Sequence, residues 1–215
     1  MYIISLNNVN RGREFHKLRN HAPFTIFGAM TGIFIMVFSQ KLPKEAFFHI
    51  FYILHPLHVF LSALVTASIY QLHECQYISG KCLMGKCNLW KLLLIGYLGS
   101  IGIATFSDSV IPYLGEVMLG MPNRGIHLGF IEKWWLVNPL AIAGIAFAFF
   151  RPATKFPHAG HVLFSTWASL FHILMTMSTR LNWISYLIVF LFLFLAVCLP
   201  CCVSDIVFPL LFVKE

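Results

Sequence analysis

Apolar runs broken by short polar stretches divide the chain into six segments, at about 23–40, 46–71, 89–115, 134–150, 159–178 and 183–203. Each approaches or reaches the ~17–25 residues that a bilayer-crossing helix requires. Inside two of them the polar positions repeat. His55-Pro56-Leu57-His58-Val59, followed by Ser62 and Thr66, returns 103 residues later as His158-Ala159-Gly160-His161-Val162, followed by Ser165 and Ser169. Both fit H-x-x-H-V-x-x-S-x-x-x-[S/T]. At ~3.6 residues per turn these positions form a polar stripe along one face of an otherwise apolar helix.

Two further matches keep the same order. Ser107-Asp108-Ser109-Val110-Ile111-Pro112 corresponds to Ser204-Asp205-Ile206-Val207-Phe208-Pro209, at an offset of 97. Pro23 to Gly28 corresponds more weakly to Pro139 to Gly144, at an offset of 116. Offsets that drift while order holds are what two related halves with unequal loops produce. The expected fold is therefore an all-α integral membrane protein, with six transmembrane helices in two inverted-topology three-helix repeats. An odd number of spans per unit makes the second unit cross in the opposite sense. The expected divisions are a basic N-terminal segment at 1–22, the first repeat at 23–115, a loop outside the cytoplasm at 116–133 and the second repeat at 134–215. Pro112 is expected to interrupt the third helix, leaving Glu116 in that loop.

Composition supports this. Hydrophobic residues make up 59% of the chain and charged residues 11%, and the mean hydropathy is +0.78, far from the range of soluble domains. Of the fifteen Lys and Arg, ten fall inside when the basic start (Arg11, Arg13, Lys17, Arg19) is placed in the cytoplasm. The positive-inside bias then puts both termini there, in a multi-pass protein of the cell membrane. Met1 to Asn20 lacks a small-residue cleavage site after an apolar core, so it is not read as a signal peptide. The net charge of +7 fits anionic lipid headgroups as partners and not nucleic acid. Self-association into a homo-oligomer is left open. Cys75, Cys82 and Cys87 have C-x6-C-x4-C spacing, which is not a standard zinc pattern, and all six cysteines fall near the cytoplasmic side, where thiols stay reduced.

The chemistry is concentrated in the repeated positions. Two imidazoles one turn apart, with a carboxylate from a neighbouring helix, suit a borderline divalent cation such as zinc, iron or manganese. A carboxylate within a membrane helix is costly unless paired, protonated or bound to a cation. His55, His58 and Asp108 are expected as one set near the outer face, and His158, His161 and Asp205 as a second near the inner face. His21, His127, His172, Ser62, Ser107, Ser165 and Ser204 are further candidate ligands or pathway residues. The function expected is transport of a divalent transition-metal cation, or of protons coupled to one.

Three other readings compete. In a zinc-dependent intramembrane hydrolase of lipid-like substrates, Asp108 or Asp205 would act as ligand or base and Ser107 or Ser204 would orient a water. In a haem electron-transfer subunit, His58 and His73 or His158 and His172 would be axial ligands. The fourth is a non-catalytic scaffold.

Overall fold

The computed structural model describes residues 25–39, 42–74, 77–78, 81–82, 88–177, 182–202 and 208–212. The architecture is helical, apart from one antiparallel pair of two-residue strands, β1 (Tyr77–Ile78) and β2 (Lys81–Cys82). The principal helices are α1 (Thr25–Ser39), α2 (Lys44–Glu74), α3 (Leu89–Thr105), α4 (Ile111–Met118), α6 (Trp134–Phe150), α7 (Lys155–Thr176) and α8 (Trp183–Cys202). The short helices α5 (Gly129–Glu132) and α9 (Phe208–Leu210) lie between and after them. These positions follow the six apolar segments of the sequence.

Among the described residues, two helices are long and apolar enough to cross a membrane. They are Lys44–Glu74, with 31 residues, and Leu89–Met118, with 30; at ~1.5 Å per residue each extends about 45 Å. α2 is continuous from Lys44, so residues 46–54 belong to the same helix as His55. Asn88 caps α3, its side chain accepting from the Trp90 and Lys91 amides, which satisfies two N–H groups left over at a helix start.

Pro112 does not end the third helix. A π-helical turn at Phe106–Val110 precedes it, and the chain continues as α4 to Met118. A π turn spaces its bonds i to i+5, here from the Ile111 amide to the Phe106 carbonyl, and so delivers Pro112 to the first turn of α4, where its missing N–H costs nothing. Glu116 is therefore a buried helical residue, not part of a loop that begins at 116.

α2 sits at the centre and packs most extensively against α6, α7 and α3. One apolar cluster joins it to α1, α7 and α8 through Ala29, Phe47, Phe51, Leu170, Leu174 and Leu193. A second joins it to α3 and α6 through Ala63, Leu64, Ala67, Ile95, Ile145 and Ala148. Small residues set the closest approaches, as they do where helices pack without a strong hydrophobic drive. A Cβ on Gly144 of α6 would lie 2.4 Å from the Phe60 carbonyl and 3.0 Å from Ala63 on α2. A Cβ on Gly28 of α1 would lie 2.9 Å from Thr166 Oγ1 on α7.

Large apolar side chains are exposed while several titratable ones are buried within an otherwise apolar core. Trp183, Phe156, Trp90 and Phe150 are between 77% and 88% exposed, while Asp108, Glu116, His58, His161 and His172 are fully buried.

Candidate functional site

α2 and α7 run antiparallel across one another. Phe47 packs on Phe171 and, eleven residues on, His58 packs on His161, so residue numbers rise along one helix as they fall along the other. The two H-x-x-H stripes consequently meet instead of lying at separate faces. The ring centroids of His58 and His161 are 5.4 Å apart, and those of His161 and His158 are 5.0 Å apart. His158 is half-buried at the end of this line.

The third helix brings Asp108 to the same place. Its Oδ2 lies 2.9 Å from Nδ1 of His55 and 2.7 Å from Nδ1 of His58. Its Oδ1 accepts from Ser107 Oγ at 2.7 Å and from Ser165 Oγ at 2.9 Å. A carboxylate offers about four acceptor positions, and here all four are filled. Since a carboxylate only accepts, both imidazoles present Nδ1–H to it, and in the neutral ring Nε2 is then an acceptor. Both Nε2 atoms are buried without a hydrogen-bond partner.

The backbone fixes this geometry. Pro56, between the two histidines, removes the helical bond to the Tyr52 carbonyl. The π turn holds Ser107, Asp108 and Ser109 inward, and Ser169 Oγ on α7 donates to the Ser107 carbonyl at 3.0 Å. Ser109 Oγ ties the turn to the His127 carbonyl at 2.6 Å. His55 stacks on Phe51 with centroids 5.3 Å apart, and its far edge rests on Gly129, where any Cβ would come within 2.6 Å of Nε2.

Asp108 thus holds and orients both imidazoles on the sides away from their bare nitrogens, as outer-shell carboxylates orient ligating histidines. This differs from the direct ligand role expected for it. Among the described residues no group of three or more His, Cys, Asp or Glu converges as a metal site. Ser107 and Ser165 both donate to the Asp108 carboxylate. His58 faces the ring of His161 directly, leaving no gap there for a macrocycle, and His73 bonds back to the Ile69 carbonyl at the exposed end of α2. Ser62 is buried on α2, one turn beyond His58. His21, Ser204 and Asp205 lie outside the described residues.

A second acid–imidazole pair was not foreseen. Glu116 Oε1 and His172 Nδ1 are 2.7 Å apart, and both side chains are fully buried. The continuation of apolar residues past Pro112 to Leu119 is the signal that could have extended the third helix far enough to include Glu116. His127 adjoins this pair, its ring 5.4 Å from that of His172, and its Nδ1 lies 3.3 Å from Glu132 Oε2.

Glu132 also accepts from the Tyr52 hydroxyl and the Leu128 amide. Burial alone would raise its carboxyl, but these hydrogen bonds and the His127 charge outweigh it and leave Glu132 below its ordinary value. A carboxyl depressed in the folded state stabilises the fold above its unfolded value and loses that contribution as pH falls. Thermal unfolding of wild type and Glu132→Gln at a series of pH values is expected to show a loss specific to wild type beginning below about pH 4.5. Because the pair is partly exposed, the difference should stay within about 1 kcal/mol.

The chain matches no protein-family model, no curated protein and no solved structure.

Proposed function

We propose that the chain is a multi-pass membrane protein of six spanning helices in two inverted units, with both termini in the cytoplasm. On this reading it moves protons along the buried line His55–Asp108–His58–His161–His158, coupled to passage of a divalent cation of the zinc, iron or manganese class. The observation that carries the reading is the line itself. Imidazoles from two antiparallel helices meet in the core, and those of His55 and His58 each keep one bare, buried nitrogen. A neutral imidazole held at Nδ1 by a carboxylate takes a proton at Nε2 and passes one on, the ordinary chemistry of histidine relays.

The packing supports the two-unit part of the proposal. The sequence offsets relate Gly28 to Gly144 and Ala63 to Thr166. Gly28 packs on Thr166 and Gly144 packs on Ala63, so the contact between α1 and α7 reappears between α6 and α2. His58 and His161, also repeat partners, touch each other, as residues on a pseudo-two-fold axis must. The large exposed apolar side chains fit hydrocarbon surroundings.

The cation enters as cargo. The Nε2 atoms of His55 and His58 are among the buried donors this core could offer it.

The test is reconstitution into liposomes that carry a zinc-sensitive dye and a pH-sensitive dye. Zinc entry accompanied by opposite proton movement in wild type, both lost in His58→Phe, is the expected result. Zinc entry that ignores the pH gradient, or that persists in His58→Phe, would overturn the coupling.

A further inference from the structure

The Glu116–His172 pair differs from the Asp108 cluster in one respect that matters chemically. Every acceptor position of Asp108 is filled, whereas Glu116 Oε2 and His172 Nε2 are both buried without a hydrogen-bond partner. When Nδ1–H of neutral His172 donates to Oε1 of an ionised Glu116, the pair has one negative charge and two buried acceptor atoms. Leaving such atoms unfilled is costly. A single added proton neutralises the charge and turns one acceptor into a donor.

The pair also has a route to solvent. His127 is 28% exposed, and it lines an open cleft of about 450 Å³ with Lys44, Glu45, Phe48, His49 and Met175. Its ring packs edge-on against that of His172, with centroids 5.4 Å apart. On the other side, Phe51 stands between the pair and the Asp108 cluster. Its ring is stacked on His55 at 5.3 Å and set edge-on to His172 at 5.5 Å, and it is fully buried.

We infer that Glu116 and His172 form a second proton-holding station, loaded from the cleft through His127 and separated from the Asp108 cluster by Phe51. The inference rests on the proton-coupled reading above and extends it outward. In the loading step a hydronium ion in the cleft gives its proton to His127. His127 then passes a proton to His172 Nε2, forming an imidazolium that keeps its Nδ1–H on Glu116, and His127 returns to neutral. Movement of Phe51 away from its stacked position opens the way to His55. The titratable groups facing the station are His127, with Glu132 and Tyr52 behind it; His55 beyond Phe51 on α2; and Lys44, Glu45 and His49 around the cleft. α8 contributes Phe192, packed on Gly115 one residue before Glu116.

The experiment is a pH titration of the full chain in lipid bilayers, carrying 15N-labelled histidine and followed by NMR, for wild type, His172→Gln and Glu116→Gln. One signal that disappears in His172→Gln is expected to convert from neutral imidazole to imidazolium. In Glu116→Gln that conversion should move, because the carboxylate that holds the imidazolium Nδ1–H is gone. If His172→Gln does not fold, His127→Gln and the shift in Glu116→Gln assign the signal instead. A signal that stays in one form across the range, or is unmoved in Glu116→Gln, overturns the station.

Proton flux in liposomes separates this from the broader reading. Flux lost in Asp108→Asn but retained in Glu116→Gln defeats the station alone. A titrating His172 with no flux in wild type supports the station and defeats the transport reading.

Discussion

Replacing Asp108 by alanine is expected to lower stability by about 3–5 kcal/mol, the cost of removing one partner from a buried charge network. The change leaves two imidazole N–H groups and two hydroxyls without their shared acceptor. Asp108→Asn keeps the volume and one carbonyl oxygen, but turns an NH2 group toward donors. Its cost should be smaller, about 1–3 kcal/mol. Thermal unfolding in detergent should therefore rank wild type above Asp108→Asn and Asp108→Ala lowest. An alanine variant as stable as wild type would mean that the four contacts to Asp108 do not hold the core together.

The second large effect is expected at Gly144. Its added Cβ would meet the Phe60 carbonyl at 2.4 Å, and this backbone belongs to the central helix. Gly144→Val forces α6 away from α2, at a cost at or beyond the upper end of the ~1–3 kcal/mol usual for overpacking. Gly28→Ala places a Cβ at 2.9 Å from Thr166 Oγ1, where a side chain can rotate, and should cost about 1 kcal/mol or less. Comparing melting temperatures of Gly144→Ala, Gly144→Val and Gly28→Ala checks the contrast. Equal losses at the two glycines would show that the α2–α6 contact is not the tighter one.

Much of this arrangement could be read from the residues. Apolar run length located the six helical segments because each helix must present a nearly continuous apolar exterior. The meeting of His55, His58 and Asp108 followed from helix periodicity and from the expected depth of the two segments. What could not be read was where α2 and α7 cross. Periodicity assigns a face to His58 and His161 but no height at which the two faces meet, so two sets were expected where one line forms. The role of Asp108 was also hidden. A His–His–Asp composition fits direct ligation as well as it fits a carboxylate behind two imidazoles, and only the Nδ1 contacts separate the two. Glu116 was lost to the rule that proline stops a helix, which a π turn at Phe106–Val110 circumvents. The matching Asp205, with Ser204 and His21, lies outside the described residues, and its pairing with His158 is an expectation from the repeat.

The most direct test of the transport reading is the rate at which an imposed pH gradient collapses in liposomes containing wild type or Asp108→Asn, each checked for folding by its melting transition. Fast collapse is expected with wild type, and the rate of empty liposomes with a folded Asp108→Asn. Equal rates for the two folded proteins would contradict it and leave the histidine line as packing.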